Sequence, residues 1–205
     1  MRFFLISLYS IFFLSSCTLS TTKDFVFVEN TVRTYHNPYF SNINKDYVYK
    51  ANFEVYGHEF SGILIIKKLA TQHHKVVFTT EFGTKMLDIE LINDSFTINF
   101  IADDLNKRIL INTLKKDFRI LLKEEITISN TYQNNDFMIY ENKDDKRYNY
   151  YFVKKRKQYL EKLINTSKTK EKVVFSFKSD DGQTARKILI EHKNIKLKIE
   201  LKAFL

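Results

Sequence analysis

Alternation of apolar and polar residues at every second position is the feature that most restricts the fold of this chain. It is clearest near the carboxyl end, where the apolar residues are Ile195, Leu197, Ile199, Leu201 and Ala203 and the residues between them are Lys196, Lys198, Glu200 and Lys202. A period of two places alternate side chains on opposite faces of a strand, one apolar and one polar. Residues 47–56 show the same pattern. The chain is therefore expected to be mainly β-sheet with one buried face.

Turn residues divide the alternating segments into a long series of strands. The first five strands are expected at 47–56, 60–68, 75–81, 85–92 and 96–100. Later strands are expected at 137–141, 148–154, 173–178, 187–192 and 195–204. A short helix is expected around 158–164, within a lysine-rich segment. The run 63–66 is apolar at every position, which indicates a strand covered on both faces.

The period changes after the fifth strand. Apolar residues then recur every three or four positions, at Leu105, Ile109, Leu110, Leu114, Phe118, Leu121 and Leu122. This spacing predicts an amphipathic helix over 103–122, with Asp103 as its N-cap. Residues 118–128 are also compatible with a strand. The sequence thus predicts a mainly β (α+β) protein: a strongly curved antiparallel sheet, or unclosed β-barrel, with one or more helices on its concave face.

The first sixteen residues have the order of a bacterial export signal. Arg2 precedes an apolar run over 3–14, which is too short to span a bilayer as a helix. Residues 14–17, Leu-Ser-Ser-Cys, resemble a lipobox, so Cys17 is predicted to carry the lipid anchor. The alternative is a short membrane helix with an incidental cysteine. The expected organisation is a signal peptide at 1–16, a lipidated N-terminus and tether with little regular structure at 17–45, and a folded domain at 46–205.

The sequence contains no evident catalytic motif, and neither an enzymatic activity nor a cofactor is predicted. The histidines are His36, His58, His73, His74 and His192, and surface or turn positions are expected for them in preference to a metal site. Lys and Arg exceed Asp and Glu by 9. This excess suits anionic lipid headgroups or nucleic acid, and the export signal argues against nucleic acid. The basic run 154–157 is interpreted as a solvated face, with headgroup contact as the alternative.

Three stretches resemble the LolA/LolB superfamily of lipoprotein carriers, and especially the LolB outer-membrane lipoprotein receptors. They are the hairpin 49–66, the segment 80–90 with Gly83 between apolar residues, and the terminal hairpin 185–201. The resemblance implies an unclosed eleven-stranded barrel whose mouth is plugged by helices. It also implies binding of lipoprotein acyl chains without covalent catalysis. Phe82 is the counterpart of the exposed apolar loop that LolB proteins use in membrane transfer.

The leading hypothesis is a monomeric lipoprotein that binds acyl chains of lipoproteins or other lipids and delivers them to the outer membrane. It would face the periplasm and receive cargo from a periplasmic carrier protein. The predicted cavity lining consists of Tyr49, Phe53, Ile63, Ile65, Leu87, Ile89, Leu91, Phe96, Ile98, Phe100, Leu105, Ile109, Leu114 and Phe118. The alternative hypothesis is a non-enzymatic envelope structural or assembly lipoprotein with a filled core that binds another protein. A hydrolase ranks third, because it would require a convergent polar site.

Overall fold

The computed structural model describes residue 21 and residues 24–144 and 146–204, which are dominated by antiparallel strands. The strands before the helix are β1 Val26–Val28, β2 Thr34–His36, β3 Asp46–Val55, β4 His58–Ala70, β5 His73–Thr79, β6 Lys85–Ile92 and β7 Ser95–Ile101. A 3-10 turn at Asp103–Leu105 leads into the helix α1, Arg108–Leu121. The strands after it are β8 Glu125–Thr127, β9 Asn130–Gln133, β10 Phe137–Asp144, β11 Arg147–Lys154, β12 Leu160–Thr166, β13 Glu171–Ser179, β14 Ala185–His192 and β15 Leu197–Ala203.

Thirteen of these strands form one sheet. Its order is β1-β9-β10-β11-β12-β13-β14-β15-β3-β4-β5-β6-β7, and β2 pairs with β8 in a separate two-stranded sheet. Among the described strands, β1 and β7 form the two edges, so the large sheet remains open. The predicted fold class is therefore confirmed. Because neighbouring strands are antiparallel, alternate strands end at the same rim of the sheet. The carboxyl ends of β3, β5, β10, β12 and β14 lie at one rim, which we call the C-edge.

The alternation seen in the sequence defines the buried, concave face of this sheet. In β3 every second residue is buried from Tyr47 to Val55, and the register places Phe53 opposite both Phe60 and Ile199. Helix α1 lies against this face and buries Leu110, Leu114, Asp117, Phe118 and Leu121. Their spacing of three and four residues places them on one stripe of the helix. Sheet and helix therefore share a single core.

The helical region differs in detail from the predicted helix over 103–122. Residues 103–105 form a separate 3-10 turn that buries Leu105, and α1 begins at Arg108 after Lys107, which makes no side-chain capping bond. Asp103 is therefore not the cap of α1. The alternative prediction of a strand over residues 118–128 is correct only for Glu125–Thr127.

The short helix predicted around residues 158–164 is wrong. Those residues belong largely to β12, which pairs with β11 on one side and β13 on the other. The backbone groups of β12 are satisfied by two neighbouring strands, and this tertiary pairing overrides the weak local signal.

The segment expected to be a tether contributes to the folded body. Val26–Val28 pairs with β9 and Thr34–His36 with β8. Tyr39 and Phe40 are buried in the core. The Tyr39 hydroxyl donates a hydrogen bond to the Leu160 carbonyl at 2.7 Å. Residues 24–45 therefore differ from the irregular tether that their polar composition suggested, because a few aromatic side chains hold the segment to the sheet.

A second apolar cluster covers the opposite, convex face of β9–β13. Its buried members are Ile139, Tyr150, Phe152 and Ile164. The Phe25 ring packs edge-on against Phe152, with centroids 5.9 Å apart. Nearby, the Thr21 hydroxyl donates to Glu171 Oε1 at 2.8 Å, at the start of β13. The chain therefore reaches the convex face near the C-edge. Cys17 and the predicted signal peptide lie outside the described residues.

Candidate functional site

Most of the predicted lining residues face the core between the concave face of the sheet and α1. Buried in the core are Tyr49, Phe53, Leu87, Ile89, Leu91, Leu105, Leu114 and Phe118. Phe96 and Ile98, on the edge strand β7, are half-buried and pack against the same core. The sequence pattern thus located ten residues of this core, seven on the sheet and three on the 3-10 turn and α1, and their role in ligand binding remains a prediction.

Four predicted lining residues lie elsewhere. Ile63 and Ile65 are on the convex face, because the register places Leu64 and Ile66 inward, opposite Phe78 and Val76. An apolar residue at every position of 63–66 gave no periodic signal for choosing the face.

Phe100 and Ile109 are displaced for different reasons. A register shift between β6 and β7 places Ile101 opposite Leu87 and leaves Phe100 43% exposed. Ile109 precedes the buried Leu110 by one residue, which is about 100° around a helix, and it is 61% exposed.

The concave face is filled by side chains in this conformation. The rings of Phe53 and Phe78 lie 4.6 Å apart, and those of Tyr39 and Phe177 lie 5.2 Å apart. The Tyr49 hydroxyl donates to the Ala185 carbonyl at 3.0 Å, and burial raises the pKa of this phenol. These aromatic side chains are therefore packed within the core that α1 and the segment around Tyr39 share with the sheet.

Polar contacts attach the carboxyl end of α1. Asn37 Nδ2 donates to the carbonyls of Leu121 and Lys123, at 3.3 Å each, where a helix leaves acceptors unpaired. Glu124, just beyond the helix, accepts from Lys68 Nζ at 2.7 Å and from the Gln72 backbone N–H at 3.2 Å. This end of the helix is thus bound both to the N-terminal segment and to the β4–β5 turn.

A buried hydrogen-bonded pair joins the third turn of α1 to the sheet. His192 Nε2, at the end of β14, lies 2.8 Å from Asp117 Oδ2, and the two side chains are 6% and 2% exposed. Burial raises the pKa of Asp117, and the hydrogen bond from His192 opposes that rise. By contrast, the amino end of α1 begins without a side-chain cap. The helix is therefore held at its carboxyl end and middle more firmly than at its start.

The expected surface positions of the histidines are wrong for His74 and His192. His74 is buried, with Nε2 3.0 Å from the Phe40 carbonyl, and burial lowers its pKa. No sequence signal identified these two residues, because their partners are 34 and 75 positions away. Among the described residues, no group of three or more His, Cys, Asp or Glu side chains is placed to hold a metal ion.

Of the large apolar side chains among the described residues, Phe82 has the highest exposed fraction. It lies in the turn between β5 and β6, at the C-edge, and is 99% exposed. Gly83 follows it with a φ of +84°, which favours glycine. The turn is closed by hydrogen bonds between Thr80 and Thr84. It therefore presents a single large apolar side chain at the tip of a well-formed hairpin.

An open antiparallel sheet with a helix on its concave face is a half-barrel architecture. A LolA superfamily protein from Nitrosomonas europaea is similar in structure, with a TM-score of 0.53, 10% identity, and coverage of 78% of this chain and 83% of that one. At this identity the similarity shows the fold alone. The chain thus has a LolA-like fold, which is the coarser part of the predicted resemblance.

Two further solved structures resemble the chain more distantly. One is a DUF1329 family protein from Desulfovibrio piger, with a TM-score of 0.43, 8% identity, and coverage of 78% and 84%. The other, from Vibrio parahaemolyticus, is described as an outer membrane lipoprotein-sorting protein domain, with a TM-score of 0.44, 7% identity, and coverage of 77% and 83%. No protein-family model matches the chain, and a search of curated proteins also gave no match.

Within the described residues, no helix has both the length and the apolar character needed to cross a bilayer.

Proposed function

We propose that this protein is a lipid-anchored carrier that binds acyl chains between α1 and the concave face of the sheet and delivers them to a membrane. The observation that carries the proposal is the attachment of α1. A thirteen-stranded apolar face is covered largely by one amphipathic helix, whose fixed polar contacts lie at its carboxyl end and middle. A helix held in this way can swing outward from its amino end as a lid.

The energies involved are of similar size. The four buried apolar residues of α1 are Leu110, Leu114, Phe118 and Leu121. Burying each such side chain contributes about 1.5–3 kcal/mol, so exposing all four would cost about 6–12 kcal/mol. An acyl chain with about 14 buried methylenes supplies about 11 kcal/mol, at about 0.8 kcal/mol each. A ligand can therefore offset the lost helix contacts. Release to a bilayer buries the acyl chain again and lets α1 return to the sheet, so delivery is favoured by up to about 6–12 kcal/mol.

The C-edge is proposed to face the membrane. Thr21 is bound to Glu171 at this edge, and Cys17 precedes it by four residues, which span at most about 14 Å. Phe82 is at the same edge and is proposed as the residue that enters the membrane during transfer. In its most specific form, the proposal is a LolB-type receptor in the outer membrane that faces the periplasm and takes lipoproteins from a soluble carrier.

The second candidate is an assembly lipoprotein with a permanently filled core. The packing of Phe53, Phe78, Tyr39 and Phe177 favours it, because these rings already occupy the concave side. In this case α1 would stay on the sheet, and binding would involve an outer surface.

Locking the helix distinguishes the two candidates. The chain has one cysteine, so a Cys17→Ser protein can carry a chosen cysteine pair. Lys115 Nζ lies 5.8 Å from the Phe96 ring of β7, on the amino-terminal side of the Asp117–His192 contact. Lys115→Cys with Phe96→Cys, joined by a short bismaleimide, would fix this part of α1 to the sheet. Uptake of the neutral probe N-phenyl-1-naphthylamine should occur in the unlinked protein and fall at least about tenfold after linking, since the lid can no longer open.

A linker within the sheet provides the matched control. Lys187 and Lys202 are cross-strand partners on β14 and β15, and the pair Lys187→Cys with Lys202→Cys should bind the probe equally before and after linking. Equal uptake by the linked and unlinked lid variants would refute the lid. Absence of uptake by the Cys17→Ser protein itself would favour the filled-core candidate.

A further inference from the structure

A basic cleft lies where α1 passes the C-edge. It has a volume of about 400 Å³ and is bounded by the helix on one side and by the ends of β10–β14 on the other. The site therefore opens at the edge that carries the Thr21–Glu171 contact and Phe82.

Positive charge dominates its lining. The cationic side chains are Lys116, Arg119, Lys146, Arg147 and Lys172, and none of them makes an ion pair with another described residue. The carboxylates are Asp144 and Asp117, and Asp117 is already hydrogen-bonded to His192. Cationic groups concentrated in a recess raise the local concentration of anions.

Two guanidinium nitrogens in this lining lack acceptors. Arg119 Nε and Arg147 Nη1 are shielded from solvent, and neither has a hydrogen-bond partner among the described residues. A shielded donor without an acceptor is unfavourable, and such a group requires an explanation. Arginine is the side chain best suited to binding phosphate through paired N–H groups. A phosphate bound in the cleft would offer acceptor oxygens to these donors.

The floor of the cleft is apolar and continuous with the core. Val173 is a core residue, and Ile120 and Ile195 pack against the core. A ligand that fills the cleft therefore meets both cationic groups and apolar side chains. This combination matches an amphiphile with a phosphate next to its acyl chains.

We infer that this cleft binds the phosphate group of an anionic glycerophospholipid whose acyl chains enter beneath α1. The inference rests on the proposed function and names its substrate class. The diacylglyceryl group of a lipoprotein cysteine carries no phosphate. The cleft therefore points to phospholipid as cargo in addition to, or in place of, lipoprotein.

The test compares three soluble probes on the Cys17→Ser protein by isothermal titration calorimetry. They are dihexanoyl phosphatidylglycerol below its micelle concentration, dihexanoylglycerol, which lacks the phosphate, and glycerol 3-phosphate, which lacks the chains. Phosphatidylglycerol should bind at least about tenfold more tightly than either of the others, because only it uses both parts of the cleft. Equal binding of phosphatidylglycerol and dihexanoylglycerol would overturn the inference. Glycerol 3-phosphate binding as tightly as phosphatidylglycerol would show a free-phosphate site and would overturn the lipid assignment.

Substitutions of cleft residues test whether the preference for phosphatidylglycerol arises in the cleft. Arg119→Gln with Arg147→Gln should abolish the preference for phosphatidylglycerol over dihexanoylglycerol. Lys172→Gln alone should reduce the preference, and provides a second variant should the double one fold poorly. The control is Lys196→Gln with Lys198→Gln, which removes equal charge from exposed positions outside the cleft. A preference that survives both cleft variants refutes the inference. If the Cys17→Ser protein without cleft substitutions does not take up N-phenyl-1-naphthylamine, the proposed function is refuted instead.

Discussion

The pair formed by Asp117 and His192 provides a test of how α1 is held that requires no lipid. With 2% and 6% of their side chains exposed, both groups are almost fully removed from water. His192→Ala would leave the Asp117 carboxylate buried without its imidazole donor. Removing one partner of a buried pair costs about 3–5 kcal/mol. Asp117→Asn keeps the shape and an acceptor oxygen but removes the charge, so at pH 7 its free energy of unfolding should lie within about 1 kcal/mol of the parent's.

The buried Asp117 carboxyl also makes the free energy of unfolding depend on pH in a defined direction. Burial raises the pKa of Asp117 in the folded protein above its value in the unfolded chain, so the folded state holds this proton more tightly. The group's contribution to stability is therefore most favourable below about pH 4, the usual unfolded pKa. It declines as pH rises through the raised folded pKa and is constant above it. The Asp117→Asn protein should accordingly gain stability relative to the parent as pH rises from 4.

Urea unfolding followed by circular dichroism between pH 4 and 8 measures both effects, with Cys17→Ser as the parent. Taking the difference between variant and parent cancels groups such as Asp181, whose pKa is lowered by backbone N–H groups of Thr184 and Gln183. His192→Ala removes the hydrogen bond that opposes the rise in the pKa of Asp117. The stability of this variant should therefore keep declining to a higher pH than that of the parent. A cost below about 1 kcal/mol for His192→Ala at pH 7 would show that the pair does not hold α1. A difference between Asp117→Asn and the parent that is independent of pH would show that the carboxylate is not desolvated.

Three further changes have defined outcomes. Phe118→Ala, which truncates a fully buried ring of α1, should cost about 3–5 kcal/mol in urea unfolding, and a loss below about 1 kcal/mol would mean that α1 is not packed on the sheet. Gly62→Ala would place a Cβ 1.9 Å from the Thr79 carbonyl oxygen, so β5 must move and the free energy of unfolding should fall by at least about 1–3 kcal/mol. Gly57→Ala is the control: its Cβ meets nothing within 4 Å, but its φ of +88° should lower the free energy of unfolding by about 1–2 kcal/mol. Cys17→Ser should shift the protein from the membrane to the soluble fraction of fractionated cells, and full retention in the membrane would contradict the anchor.

The strands could be predicted from sequence because their signal is local. Most of β3 and β15 alternates without interruption, and a single buried face is enough to produce that pattern. The faces of Ile63 and Phe100 could not be predicted. One lies in an uninterrupted apolar run, and the other follows a register shift that depends on the neighbouring strand.

The candidate site was less accessible to prediction than the sheet. Its concave apolar residues follow from alternation, but its polar contacts join distant parts of the chain. Asp117 and His192 are 75 residues apart, and Arg119 and Arg147 meet at one cleft only because α1 crosses the ends of β10–β14. The ordered structure of residues 24–45 could not be predicted for a related reason. Tyr39 and Phe40 are two aromatic residues in a polar segment, and their burial depends on the surrounding sheet.

The docking of Thr21 on Glu171 also determines how far the protein could act from its membrane. A lipid on residue 17 would leave only three residues, 18–20, between the anchored residue and Thr21, so the body could sample a layer about as thin as that segment is long. Such a protein diffuses in two dimensions and cannot collect cargo from a distance. Its supply must then come from a freely diffusing donor or from lipid already in the same membrane, and measuring cargo transfer between separate vesicle populations would distinguish the two.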